Sequence, residues 1–143
     1  EYLFLLSKSR SYYFNAEAIK TSAKQDWGTR DRSNGKYHNE GSGLQPHSGL
    51  TKSYTTANKR SVWTIAPSNY KGAHFATFPP ALVEPCILAG SAPGDTVLDP
   101  FLGSGTTLAV AKQHGRNGVG VELNPEYVAL AQQRIDAVPV PLS

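Results

Sequence analysis

Apolar positions recur along this chain in short bursts separated by polar or glycine-rich stretches. Glu1–Leu6 and Ser11–Phe14 are rich in aromatic and aliphatic residues, with the polar Ser7-Lys8-Ser9-Arg10 between them. Two such runs across a polar turn predict a hairpin. Ala16–Ile19 has room for one helical turn. From Thr21 to Lys59 periodicity vanishes, and Gly28, Gly35, Gly41, Gly43 and Gly49 punctuate Ser, Thr, Asn, Lys and Arg. A stretch of that length without a regular pattern reads as a functional loop or a partly disordered segment. Ser61–Ile65 alternates like a strand and is ended by Pro67. His74–Phe78 leads into Pro79-Pro80, and proline suits the first position of a helix. That helix is predicted over Pro80–Ala89, with Leu82, Val83, Cys86 and Ile87 as one apolar stripe and Gly90 with Ser91-Ala92-Pro93-Gly94 as its stop.

The clearest pattern follows. Thr96-Val97-Leu98 reads as a buried strand, Asp99–Gly105 as a glycine-bearing loop, and Thr106–His114 as a helix packing through Leu108, Ala109 and Ala111. Gly115 suits the C-cap. Val119-Gly120-Val121 reads as a second buried strand ending in Glu122. Asn124 and Pro125 then open a helix whose Val128, Leu130, Ala131 and Ile135 face inward. Strand, glycine loop, helix, strand and helix make half of a doubly wound, Rossmann-like α/β sheet. Pro139–Ser143 is a tail.

Composition adds three things. With 143 residues, 39% hydrophobic and 17% charged, the chain is of single-domain length. A single cysteine, Cys86, excludes an internal disulfide framework, so the expected compartment is the reducing cytoplasm. No apolar run approaches a bilayer-spanning length. Charge is uneven: residues 1–60 carry ten Lys/Arg against five Asp/Glu, and residues 61–143 four against six. A basic, glycine-rich flank beside a neutral body reads either as a polyanion contact surface or as a solvated basic loop.

The glycine loop carries the chemistry. Gly103-Ser104-Gly105 follows a strand and opens a helix, where glycines permit a tight turn and close approach of a ligand. Glu122, seventeen residues beyond Gly105 at the end of the next strand, is placed to accept the ribose hydroxyls of an adenosine. Asp99 is placed for a cationic or amino group at the cofactor's other end. A dinucleotide fingerprint needs a third glycine where Leu108 stands, and a P-loop needs Gly-Lys-Ser/Thr where Gly105-Thr106-Thr107 stands. Asp99 further disfavours a phosphate. An adenosine joined through a sulfonium to a zwitterionic amino acid suits the loop, which points to S-adenosylmethionine.

These residues carry a family resemblance. Asp99-Pro100-Phe101-Leu102-Gly103-Ser104-Gly105-Thr106-Thr107 resembles the cofactor motif of the DNA amino-methyltransferases that modify N4 of cytosine or N6 of adenine. Val121-Glu122-Leu123-Asn124-Pro125-Glu126-Tyr127 resembles the family's next strand and helix. His74-Phe75-Ala76-Thr77-Phe78-Pro79 resembles the segment that helps hold the methionine moiety, and Tyr2–Ser9 with Tyr12–Asn15 the strand after the catalytic region. The resemblance spans almost the whole chain, in the order of the permuted subclass with catalysis before cofactor binding. It implies S-adenosylmethionine held by His74, Phe75, Thr77, Phe78, Asp99, Phe101, Gly103, Ser104, Gly105, Thr106, Glu122 and Leu123. It also implies double-stranded DNA as partner, with Thr21–Arg60 in the place of the target-recognition region. Lys24, Arg30, Arg32, Lys36, Lys52, Lys59 and Arg60 are then the candidate phosphate contacts.

The family grips the flipped amine with an Asp/Asn/Ser-Pro-Pro-Tyr/Phe/Trp segment, which this sequence lacks. Phe78-Pro79-Pro80-Ala81 has the paired prolines without the polar residue or the following aromatic. The family places the segment before Glu1, so the chain is expected to be the C-terminal part of the enzyme, inactive and marginally folded alone. The absent segment, in the same chain or as a companion chain, would complete it, and without it the exposed sheet edge invites self-association. The Phe78-Pro79 pair leans toward cytosine N4 over adenine N6. Two other classes stand beside this reading: a non-catalytic DNA-binding module with the same shape, and a nicotinamide oxidoreductase. Cys86 in an apolar stripe is expected to pack, not to act as a nucleophile. His38, His47, His74 and His114 form no metal-ligand pattern with it. Tyr12, Tyr13 and Phe14 are read as packing residues before base-stacking ones.

Overall fold

The computed structural model describes residues 2–23, 55–67 and 78–139. The chain divides into two units, Lys20–Lys59 and the pair Glu1–Ile19 with Arg60–Ser143. In the first unit, β1 (Thr21–Ser22) pairs antiparallel with β2 (Thr56–Ala57), Thr21 opposite Ala57. The Ala23 N–H donates to the Thr55 carbonyl at 2.9 Å and extends the ladder. The two ends of the stretch that showed no periodicity are thus held together, although its middle lies outside the described residues. Two-residue strands leave no repeat long enough to read from sequence.

The second unit holds α1 (Pro80–Gly90), β3 (Thr96–Asp99), α2 (Thr106–Gln113), β4 (Asn117–Gly120) and α3 (Pro125–Asp136). Pro79 is the N-cap of α1 with φ −69° and Pro80 its first residue, so the double proline starts a helix where no N–H partner is needed. A third proline, Pro85, lies buried inside α1. β3 and β4 pair in parallel, Val97 opposite Gly118 and Leu98 opposite Val119, with α2 as the crossover. This is the α/β, Rossmann-like architecture expected. The core is small: Ile87 of α1 with Val110 and Ala111 of α2, against which Val83 and Val97 pack.

Glycine decides how α2 meets the sheet. A Cβ on Gly118 would stand 2.6 Å from Leu108 Cγ, and one on Gly120 2.8 Å from Leu102 Cδ2. Those two leucines occupy the space that side chains on β4 would fill. Polar contacts join the elements from outside. The His114 ring Nε2 lies 2.8 Å from Glu84 Oε1, linking the end of α2 to α1. Arg116 donates to the Ser91 carbonyl at 2.7 Å, tying the start of β4 to the end of α1. Lys112 Nζ donates to the Ile135 carbonyl at 2.8 Å, a cation at the end of α3 where the exposed carbonyls attract one.

Several expectations are corrected. Residues 2–14 form no strand: Ser7 and Ser9 hydroxyls turn the chain by donating to the Ser9 and Ser11 carbonyls, but the apolar arms on either side are exposed and pair with no strand among the described residues. The expected helical turn is a 3-10 turn at Glu17–Ile19, and just before it the Asn15 N–H donates to the Ala89 carbonyl at 2.8 Å. Ser61–Ile65 is irregular, with the Trp63 indole donating to the Arg60 carbonyl. Cys86 is exposed, whereas Ile87 enters the core with Val83 packed beside it, and Pro85 and Ala89, one turn apart, are buried on a different face of α1. β4 begins two residues earlier than predicted, and Glu122 lies beyond its end. Neither strand is buried on both faces: Leu98, Val119 and Val121 are 62%, 51% and 52% exposed, since among the described residues the helices cover only the face of Val97 and Gly118. On α3, Ala131 is buried, Leu130 and Ile135 half-buried, and Val128 exposed. No helix among the described residues is long and apolar enough to cross a membrane.

Packing at Gly118 has a measurable consequence. Gly118→Ala is expected to lower the unfolding free energy by about 1–3 kcal/mol through overpacking against Leu108. Gly90→Ala, where an added Cβ meets nothing within 4 Å, should be neutral or stabilising. Urea titrations of the two variants beside the parent check both.

Candidate functional site

The loop between β3 and α2 is built almost entirely from backbone hydrogen bonds. Asp99 Oδ1 accepts the Phe101 N–H at 3.0 Å, an Asx turn that bends the chain off the end of the strand. Val121 N–H donates to the Asp99 carbonyl and Leu102 N–H to the Val121 carbonyl, carrying the parallel pairing past the strands and into the loop. Gly103 and Gly105 then take positive φ values of 51° and 78°, which other L-residues rarely adopt. The Gly105 N–H closes the turn on the Leu102 carbonyl, and the Gly105 carbonyl accepts the first helical bond from Ala109.

Two side chains grip this turn from opposite ends. Glu122 Oε2 accepts the Gly103 N–H at 2.8 Å, while its Oε1 accepts the Asn124 N–H at 2.9 Å. Asn124 in turn accepts the Glu126 N–H and caps α3. One carboxylate therefore sets both the cofactor-type loop and the entry to the last helix. From the far end of α3, Arg134 donates through one guanidinium nitrogen to Thr106 Oγ1 at 2.8 Å, Ser104 Oγ at 3.2 Å and the Ser104 carbonyl at 3.4 Å. Ser104 and Thr106 are both buried.

The structure brings Asp99, Gly103, Ser104, Gly105, Thr106 and Glu122 into one connected turn. Phe101 and Leu123 stand beside it, 87% and 95% exposed. Phe78 lies at the entry to α1 and not in the loop. His74, Phe75 and Thr77 lie outside the described residues, as do Lys24, Arg30, Arg32, Lys36 and Lys52. Lys59 is half-buried and Arg60 exposed. Sequence reading cast Ser104 and Thr106 as cofactor contacts; in the structure their hydroxyls accept from Arg134. It cast Gly105 as making room for a ligand, but the neighbour that comes close is α3: a Cβ would stand 2.9 Å from Ala131 Cβ. Arg134 was missed. Its signal was its position three residues after the small Ala131, which puts both on one helix face. Among the described residues no cluster of three or more His, Cys, Asp or Glu could hold a metal ion.

A parallel strand pair, a glycine turn at the first strand's end and a carboxylate just past the second define the cofactor side of a Rossmann-like, methyltransferase-type sheet. The chain belongs to the DNA methylase family of N6 and N4 enzymes, whose family model matches residues 1–133. It is 42% identical over 135 residues to the type II methyltransferase M.Cfr9I of Citrobacter freundii, covering 94% of this chain and 36% of that protein. It is 43% identical, again over 135 residues, to M.SmaI of Serratia marcescens, covering 94% and 37%. Among solved structures it is similar to the cytosine-N4-specific PvuII DNA methyltransferase, with 32% identity and a TM-score of 0.50 over 54% of this chain and 32% of that one. The chain spans a little over a third of the length of these sequence relatives.

The Gly105–Ala131 contact makes a double-mutant test available. Gly105→Ala is expected to cost about 2–4 kcal/mol of stability, part from the left-handed backbone and part from the clash. Adding Ala131→Gly should recover the clash but not the strain, so the double variant should unfold less easily than the sum of the single losses implies.

Proposed function

We propose that residues 1–143 are the C-terminal, cofactor-binding part of a DNA amino-methyltransferase that uses S-adenosylmethionine. The observation that carries the proposal is the glycine turn bracketed by two carboxylates, Asp99 and Glu122, with Glu122 fixed through the Gly103 amide. Acceptor-only anions on both sides of the turn repel a phosphate and suit hydroxyl and ammonium donors. An adenosine ribose at Glu122 and an amino-acid head group near Asp99 meet that requirement, and a nicotinamide dinucleotide, with its pyrophosphate, does not. The cofactor supplies an electrophilic methyl group on a sulfonium. The role of this chain is to hold and orient it: the Leu102–Thr106 backbone shapes the pocket wall, Glu122 receives the ribose, and exposed Phe101 and Leu123 offer apolar surface to the adenine.

Proline pairing at Phe78-Pro79-Pro80 starts α1 and does not present a base-gripping segment. We therefore assign the amine-aligning groups to protein outside residues 1–143, in the permuted order with catalysis before cofactor binding. Lys20–Lys59, whose ends are paired by β1 and β2, is the target-recognition region in this reading, with Lys24, Arg30, Arg32, Lys36, Lys52, Lys59 and the adjoining Arg60 neutralising phosphates. Cytosine N4 is the favoured amine, from the Phe78-Pro79 pair and from the likeness to the cytosine-N4-specific PvuII enzyme.

Glu122→Ala should weaken S-adenosylmethionine binding by about 1.5–3 kcal/mol, the range for hydrogen bonds to a charged group. Calorimetric titration of S-adenosylmethionine and of NAD into the parent and the folded variant checks this. An unchanged affinity in the variant, or tighter binding of NAD by the parent, defeats the assignment. For DNA, affinity for a duplex should fall steeply with salt as counterions are released, and labelled methyl transfer by residues 1–143 alone should not exceed that of a Gly105→Val control. A salt-insensitive affinity contradicts the phosphate contacts, and turnover above the control contradicts the placement of the aligning groups.

A further inference from the structure

Arg134 sits in the last turn of α3, twelve residues from Glu122 and outside the loop proposed to hold the cofactor. Yet one of its nitrogens reaches three acceptors in the glycine turn: Thr106 Oγ1, Ser104 Oγ and the Ser104 carbonyl. Ser104 is the residue between the two left-handed glycines. A Gly-x-Gly turn has little conformational preference of its own, because glycine enters left- and right-handed regions with similar ease. Something must select one conformer. Glu122 does so at Gly103, where it takes the N–H. On the other side of the turn, Ser104 and Thr106 are buried, and Arg134 donates to both hydroxyls.

We propose that Arg134 is a positioning residue for the cofactor: it pins Ser104 and Thr106 and so holds the glycine turn in its binding shape without contacting the ligand. Its charge strengthens these bonds above those of a neutral donor, and a single nitrogen reaches acceptors on two residues at once. The anchorage is mutual. Ala131, one helical turn earlier, packs on Gly105, so α3 presses on the turn at one point and hydrogen-bonds it at another. α3 thereby becomes part of the cofactor site, although it lies behind the loop. The inference rests on the S-adenosylmethionine reading of the site, and the experiment separates the two.

Arg134→Met and Arg134→Lys are compared with the parent by calorimetry with S-adenosylmethionine and by hydrogen exchange of the residue 103–107 amides. Arg134→Met should weaken binding about tenfold and speed exchange of those amides by a similar factor, while protection in α1 and β3 stays at the parent level. Arg134→Lys, with a donor still within reach of Thr106, should restore part of both. In a Thr106→Val background the Arg134→Met loss should shrink, since the strongest acceptor is already gone. Parent-like binding and exchange in Arg134→Met, or equal losses in both backgrounds, would overturn the proposal. If the parent fails to bind S-adenosylmethionine while Arg134→Met still releases the 103–107 amides, the cofactor reading falls and the pin itself stands.

Discussion

The Glu122 carboxylate, shared between the amides of Gly103 and Asn124, is the contact on which the loop after β3 and the entry to α3 both depend. A carboxylate that accepts backbone N–H groups forms strong, directional bonds. Here those bonds join three elements that meet at one point: the end of β4, the loop after β3 and the start of α3. Asn124 is oriented by the same carboxylate and caps the helix that follows. The helix then returns Arg134 to the loop from behind. The result is a closed circuit of loop, strand end, helix cap and helix end, in which each member fixes the next.

That circuit explains why so small a core suffices to place a site. Ile87, Val110 and Ala111 are the centre of the apolar packing, and Leu108 lies over the glycines of β4. Small residues let neighbours approach closely: Leu108 and Leu102 lie over Gly118 and Gly120, and α3 at Ala131 lies against Gly105. Tight approach and directional hydrogen bonding thus support one another. On the opposite side of the strand pair, Leu98, Val119 and Val121 remain exposed. A parallel sheet is ordinarily covered on both faces, and the described helices cover one.

Much of this was legible in the residues. The Asp99–Thr106 turn, α2 with its Gly115 cap, and α3 with Asn124 and Pro125 follow from local chemistry: glycines where φ is positive, proline where no donor is needed, and asparagine where a helix amide lacks a partner. Such signals act within a few residues and survive whatever surrounds them. Glu122 was likewise visible as a carboxylate at a fixed distance beyond the loop. The parallel pairing of β3 with β4 followed from the intervening helix, which admits little else.

What local chemistry left open was settled by tertiary contacts. The apolar run at residues 2–6 reads as a strand, but a strand needs a partner edge, and no described element supplies one. Cys86 belongs to an apolar stripe by spacing, yet of that stripe Ile87 and Val83 meet the core while Cys86 stays exposed, because how far a helix face is buried depends on where its neighbours stand. The same reason hid the roles of Ser104, Thr106 and Arg134. A hydroxyl beside a glycine turn can face a ligand or its own protein, and the choice lies with a guanidinium nearly thirty residues away. The sequence by itself determined the turn, its caps and its carboxylate, since those depend on backbone preference and short-range hydrogen bonds. Only the tertiary structure decided which side chains hold the turn in place, since that depends on the distance between helix ends that no local pattern encodes.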